Sequence, residues 1–129
     1  MNSKEKQSSI LLVDDSTTNI ALLEAVLEDK GYQIVKAQSV KDAFASIRKK
    51  IPDLILLDLL IPKISGFDFF EQIRNDEKTK HIPVIVISAL SDKLSETRVL
   101  AMGAADFISK PVDIQYLTKK VDTILNQER

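Results

Sequence analysis

Five polar residues in this chain sit where short strand-like runs end. Asp14 and Asp15 follow Ile10 to Val13, Asp58 follows Leu54 to Leu57, Ser88 follows Val84 to Ile87, and Lys110 follows Asp106 to Ser109. Each has an ordinary explanation alone: the acids could cap helices, Ser88 could be a loop hydroxyl, and Lys110 could be solvated. Together they compose a chemistry. Three carboxylates brought close repel one another and stay ionised only with a cation among them. A hard divalent ion that takes oxygen ligands and keeps several waters, Mg²⁺, suits such a set. Asp58 is ionised near neutral pH and needs no general base to act as a nucleophile. It needs relief from repulsion as it meets an anionic phosphoryl group, which a metal and the Lys110 ammonium would supply. The Ser88 hydroxyl could donate to a phosphate oxygen. The product would be an acyl phosphate on Asp58, adding roughly two negative charges at one point.

For these residues to meet, the runs must be strands of one sheet. Ile10 to Val13 reads as a first strand, with Ser16 or Thr17 capping a helix whose buried stripe is Ile20, Leu23 and Leu27, stopped by Gly31. Tyr32 to Ala37 is a second, more polar strand, and Ser39 opens a helix with Val40, Ala43, Phe44 and Ile47 inward. The central strand starts at Asp53, and after Gly66 the residues Phe67, Phe70 and Ile73 trace a third helix. Val84 to Ile87 is the fourth strand. Asp92 to Met102 is a helix with a poor apolar stripe, stopped by Gly103. Asp106 to Ser109 is a short fifth strand, and Asp113 caps a last helix with Ile114, Leu117, Val121, Ile124 and Leu125 on one face. Five βα units with right-handed connections place helices on both faces of a parallel sheet. Strands one, three and four are wholly apolar and suit the middle; strands two and five carry polar residues and suit the edges. The expected fold is therefore α/β, a (βα)5 flavodoxin-like doubly wound parallel sheet of order 2-1-3-4-5, whose ligands gather at the carboxyl ends of the strands.

Composition narrows the function. The chain has 129 residues, 44% hydrophobic and 29% charged, which suits one globular domain with a proper core. We expect residues 1–8 to be a disordered tail and residues 9–126 to be the domain. A net charge of -1 gives no electrostatic reason to expect nucleic acid or an anionic membrane as direct ligand. There is no cysteine, which excludes disulfides and thiolate metal sites and agrees with a cytoplasmic location. No apolar run approaches the roughly 18 residues of a membrane span. The single histidine, His81, has no neighbouring ligands and reads as a loop residue.

The chain resembles the receiver domain of two-component response regulators over Ser9 to Leu125. The matching segments are LVDD at Leu12–Asp15, DLLIPKISG at Asp58–Gly66, SA at Ser88–Ala89 and KP at Lys110–Pro111. The resemblance implies that Asp58 is the phosphoacceptor, receiving phosphate from a phosphohistidine on a histidine kinase or histidine phosphotransfer protein. It implies that Mg²⁺ is held by Asp14, Asp15, Asp58 and the backbone carbonyl of Leu60. It also makes Lys110 the phosphate-binding lysine, with Ser88 and Phe107 as the switch pair. A phosphorylation-dependent homodimer and an unknown downstream effector complete the expected partners. Phe107 stands where a tyrosine is often found, so no hydroxyl is offered there, and Ile61 replaces the commoner methionine. Leu60 and Leu90 are bulky and apolar, and we expect them to shield the acyl phosphate from water and lengthen its lifetime. The poor stripe of the fourth helix makes it one of the least stable elements, so the surface of helix four, strand five and helix five is expected to change on phosphorylation.

Other classes fit less well. A haloacid-dehalogenase-like phosphatase would carry a second aspartate at the position of Leu60, so turnover of outside substrates is not expected. The expected activity is a receiver's, which assists its own phosphorylation and dephosphorylation. A flavodoxin-like cofactor binder would need an acid-free phosphate loop after the first strand, and Asp14 and Asp15 oppose that.

Overall fold

In a computed structural model of the chain, residues 7–59, 66–89 and 93–126 are described. They alternate as β1 (Ser9–Val13), α1 (Thr17–Asp29), β2 (Gln33–Ala37), α2 (Val40–Lys49), β3 (Leu54–Asp58), α3 (Gly66–Asn75), β4 (Val84–Ser88), α4 (Lys93–Ala101), β5 (Asp106–Ser109) and α5 (Ile114–Leu125). The five strands form one sheet in the order β2-β1-β3-β4-β5. Every neighbouring pair is parallel. This is the flavodoxin-like fold expected from the sequence.

The three middle strands are buried along their whole length, whereas β2 and β5 are largely half-exposed or exposed. Side chains alternate between faces, so the strands feed two cores. On β3, Leu54 and Leu56 join Leu12, Ile20, Leu27, Leu117 and Val121 on the side covered by α1 and α5. Ile55 and Leu57 join Val13, Ala43, Phe69, Phe70 and Val99 on the side covered by α2, α3 and α4.

Local chemistry sets the helix ends. The Ser16, Ser39 and Asp113 side chains accept from the N–H groups of Asn19, Asp42 and Tyr116, capping α1, α2 and α5. Gly31 and Gly103 take positive φ after α1 and α4, a conformation open to glycine at little cost.

Several expectations shift. Phe69, not Phe67, is the fully buried partner of Phe70 and Ile73. Positions 66, 69, 70 and 73 follow a true helical stripe, whereas 67, 70 and 73 drift off it. The Phe67 ring is half-buried and lies under the Arg98 guanidinium, 4.0 Å from its centroid. Phe44 is likewise half-buried, tilted against Phe69 at 4.9 Å. Gln7 and Ser8, placed in the tail from sequence, hydrogen-bond to the Gly31 carbonyl and the Gln33 N–H. The expected helix start at Asp92 lies outside the described residues, as do residues 1–6 of the expected tail.

The helices are unequally held. Phe69, Phe70 and Ile73 anchor α3, while α4 buries Val99 alone and leaves Leu94 83% exposed. Full burial of such a side chain contributes about 1.5–3 kcal/mol, so α4 has roughly a third of the apolar anchorage of α3.

Candidate functional site

Strand register and side-chain parity bring the expected residues to one edge. Val13 pairs with Leu57, Asp58 with Ile87, and Ser88 with Ser109. Asp14 therefore comes level with Asp58. Both continue the parity of Leu12 and Leu56, and Lys110 continues that of Ile108, so all three belong to the α1–α5 face. Ser88 continues the parity of Val84 and Val86, on the face of α2, α3 and α4.

The contacts agree with this placement. Lys110 Nζ lies 3.1 Å from Asp58 Oδ2 and 3.6 Å from Asp14 Oδ2. The carboxylates of Asp14, Asp15 and Asp58 each offer an oxygen, all within 4.8 Å of one another. Asp14 and Asp58 are buried, at 6% and 5% exposure, while Asp15 is open to solvent. Ser16 donates its N–H to Asp14 Oδ1 at 2.9 Å, so the residue that caps α1 also orients an acid of the cluster.

Burial pushes the Asp14 carboxyl above its ordinary value, and the nearby charge of Asp58 adds to this against the Ser16 N–H and Lys110. For Lys110, burial opposes the charged form. The hydrogen bond and charge of Asp58, helped by Asp14, outweigh it and raise the ammonium's pKa. With all groups ionised, three carboxylates face one ammonium and leave an excess of two negative charges in a largely buried mouth. An all-oxygen acidic set with one member open to water fits a hard divalent cation.

Ser88 is fully buried at the end of β4, and its carbonyl accepts from the Lys110 N–H at 3.0 Å. Phe107 is half-buried, pairs with Val86, and packs against the same core as Val99 of α4. Ser88 and Phe107 thus share the sheet face that α4 covers. The peptide between Lys110 and Pro111 is cis. The expected carbonyl ligand Leu60 and the expected shields Leu60 and Leu90 lie outside the described residues.

Two contributors stand out only in three dimensions. The Asn19 side chain hydrogen-bonds to Asp14 from the first turn of α1; its place three residues after the capping serine is the signal that could have found it. Gly66 donates its N–H to the Leu59 carbonyl at 3.0 Å, tying the start of α3 to the residue after Asp58. A Cβ there would stand 2.5 Å from Leu59 Cα.

An acid cluster with two buried members beside a lysine, at the carboxyl edge of a 2-1-3-4-5 sheet, defines a class of signalling domain, and comparison with known proteins gives the same class. The family model for the response regulator receiver domain matches residues 10–122. The chain is 36% identical over 116 residues to the protein PilH of Pseudomonas aeruginosa, covering 90% of this chain and 96% of that one. It is 32% identical over 117 residues to the polar-differentiation response regulator DivK of Brucella ovis, covering 91% and 95%. It is 37% identical over 115 residues to the response regulator PleD of Caulobacter vibrioides, covering 89% of this chain but only 25% of PleD. Among solved structures, a two-component response regulator from Clostridium difficile superposes with a TM-score of 0.89 at 28% identity, over 95% of this chain and 99% of that one. The receiver domain of a histidine kinase from Syntrophus aciditrophicus does so with 0.85 at 33% identity, over 93% and 91%. The chain belongs to the response regulator receiver domain family of two-component signalling.

Proposed function

We propose that Asp58 is the phosphoryl acceptor of this receiver and that a phosphohistidine on a histidine kinase or histidine phosphotransfer protein is the donor. The observation that carries this is the buried Asp58 carboxylate at the end of β3, 3.1 Å from Lys110 Nζ and inside the acid cluster. An Asp58 oxygen attacks phosphorus, the P–N bond breaks, and the electron pair leaves with the imidazole, which holds its proton. The product is a mixed anhydride on Asp58. Lys110 balances charge on the transferring oxygens, and Ser88, at the end of the adjacent strand, donates to one of them once the weakly anchored α4 shifts.

Asp14, Asp15 and Asp58 would hold Mg²⁺, with the Leu60 carbonyl as a further ligand. When bound, the ion neutralises negative charge on the carboxylates and on the incoming phosphoryl group. The donor approaches over α1 and the β5–α5 turn. There a groove of about 460 Å³ runs from Asp14 and Lys110 past Asn19 to Leu22, which is 51% exposed. The readout is α4, β5 and α5: Ser88 and Phe107 lie on the sheet face beneath the weakly anchored α4. Phosphate on Asp58 biases that element.

The test is intact-protein mass after incubation with acetyl phosphate and Mg²⁺, with Asp58→Asn alongside. One added phosphate, lost in the variant and without Mg²⁺, is expected. An equal gain in Asp58→Asn would overturn the assignment. Hydrogen exchange with a phosphate mimic should change within residues 93–125, and an unchanged pattern there would remove the proposed readout.

A further inference from the structure

The opposite end of the sheet carries a second concave feature. The C-terminal ends of α2 and α3 and the turn after α3 enclose a groove of about 560 Å³, within the roughly 300–1,000 Å³ typical of binding clefts. Its floor is mostly apolar: Ile47 and Ile73 are buried, Ile51 is 45% exposed, and the hydroxyl of the buried Thr79 is spent on the Ile73 carbonyl. Its rim is basic, formed by Arg48, Lys49, Lys50 and Lys78, all exposed, against one acid, Asp76. One oxygen of Asp76 is engaged by the Lys78 N–H at 2.8 Å. Lys50 donates to Gln33 at 3.0 Å, and Arg48, Lys49 and Lys78 form no ion pair among the described residues. This local excess of positive charge stands on a chain whose net charge is -1.

We propose that this groove docks an acidic amphipathic segment of a partner protein, an apolar side chain entering over Ile51 while flanking Asp or Glu residues meet Arg48, Lys49 and Lys78. Charge complementarity selects the acidic partner. Concavity selects a peptide over a bilayer, which would favour apolar side chains that protrude, and the apolar floor selects it over a nucleic-acid backbone. Arg48 and Lys49 also lie in the last turn of α2, where cations complement the helix dipole; Lys78 lies outside any helix and reads the groove alone. The groove is separated from Asp58 by the length of β3, roughly 13 Å between Leu54 and Asp58 at about 3.3 Å per residue. Both sites can therefore be occupied together.

The probe is a short synthetic peptide with two leucines among glutamates, titrated into the ¹⁵N-labelled protein. Amide shifts are expected at residues 44–51 and 72–79, with the Asp14 and Lys110 amides unmoved. The double reversal Lys49→Glu, Lys78→Glu should weaken binding about tenfold, and Lys78→Glu alone about threefold, with phosphorylation by acetyl phosphate unchanged. Ile51→Ser should weaken binding about fivefold. Absence of shifts, shifts centred on the groove beside α1, or equal binding of a peptide with alanines for leucines would each overturn the proposal. So would tighter binding of phosphatidylglycerol vesicles or a single-stranded oligonucleotide that is lost in the same variants.

Discussion

Gly66→Ala gives opposite answers in sequence and in structure. Gly66 is the first residue of α3. By helix propensity, alanine there should be better by up to about 1 kcal/mol, much of it from restricting the unfolded chain. The fold reverses the sign. A Cβ at this position would lie 2.5 Å from Leu59 Cα and 2.9 Å from the carbonyl oxygens of Asp58 and Leu59, all backbone atoms that cannot swing away. Forced overpacking costs about 1–3 kcal/mol. Parting the two strands of backbone also loses the Gly66 N–H to Leu59 carbonyl bond, worth about 0.5–1.5 kcal/mol. Set against the propensity gain, the net is a loss of about 0.5–3.5 kcal/mol. At this chain length that corresponds to a fall of about 2–14 °C in Tm. Urea and thermal unfolding of the variant without divalent ions measure it directly. The folded variant should also take up phosphate from acetyl phosphate more slowly, because Gly66 holds the residue next to Asp58 against the start of α3. A Gly66→Ala protein as stable as the parent, or more so, would refute the reasoning.

The acid cluster should make stability depend on divalent ions. Mg²⁺ at ten times its dissociation constant should raise stability by about 1.4 kcal/mol, and Asp15→Asn should remove most of that gain in a thermal-shift titration. Arg98→Ala removes a guanidinium 4.0 Å above the Phe67 ring, a contact worth about 0.5–1 kcal/mol at an exposed site; hydrogen-exchange protection across Lys93–Ala101 should fall more than protection in β3. Burial pushes the Asp122 carboxyl up, but the Tyr32 hydroxyl and the Lys30 ammonium outweigh it and hold the carboxyl below its ordinary value. A depressed folded pKa contributes stability above the unfolded value near 3.8 that is lost as pH falls through the folded value. Asp122→Asn should therefore cost about 1 kcal/mol at pH 7, and the gap should close as urea titrations are taken below that range.

Much of this site was legible in the chain because its elements carry their own signals. Apolar runs of four residues ending on Asp14, Asp58 and Ser88 marked buried parallel strands and their carboxyl ends. The polar residues of β2 marked an edge, and the caps Ser16, Ser39 and Asp113 were readable from residue type and place. Where reading by stripe went astray, at Phe67 and Phe69, three aromatic residues offered two nearly equal faces. The choice fell to the helix whose stripe also includes Gly66 against Leu59.

What the sequence determines by itself is therefore the order and type of the elements, the polar residues at the strand ends, and the caps that start the helices. These depend on backbone preference, periodicity and turn chemistry, which act over a few residues. Only the tertiary structure decides which of those polar residues share a face. Strand register sets Asp14 level with Asp58, side-chain parity turns Lys110 toward both, and the same parity turns Ser88 and Phe107 to the opposite face under α4. The prohibition on a Cβ at Gly66 also belongs to the tertiary structure, because Leu59 lies seven residues away, beyond the reach of local backbone preference, and meets Gly66 only once α3 has packed against the end of β3.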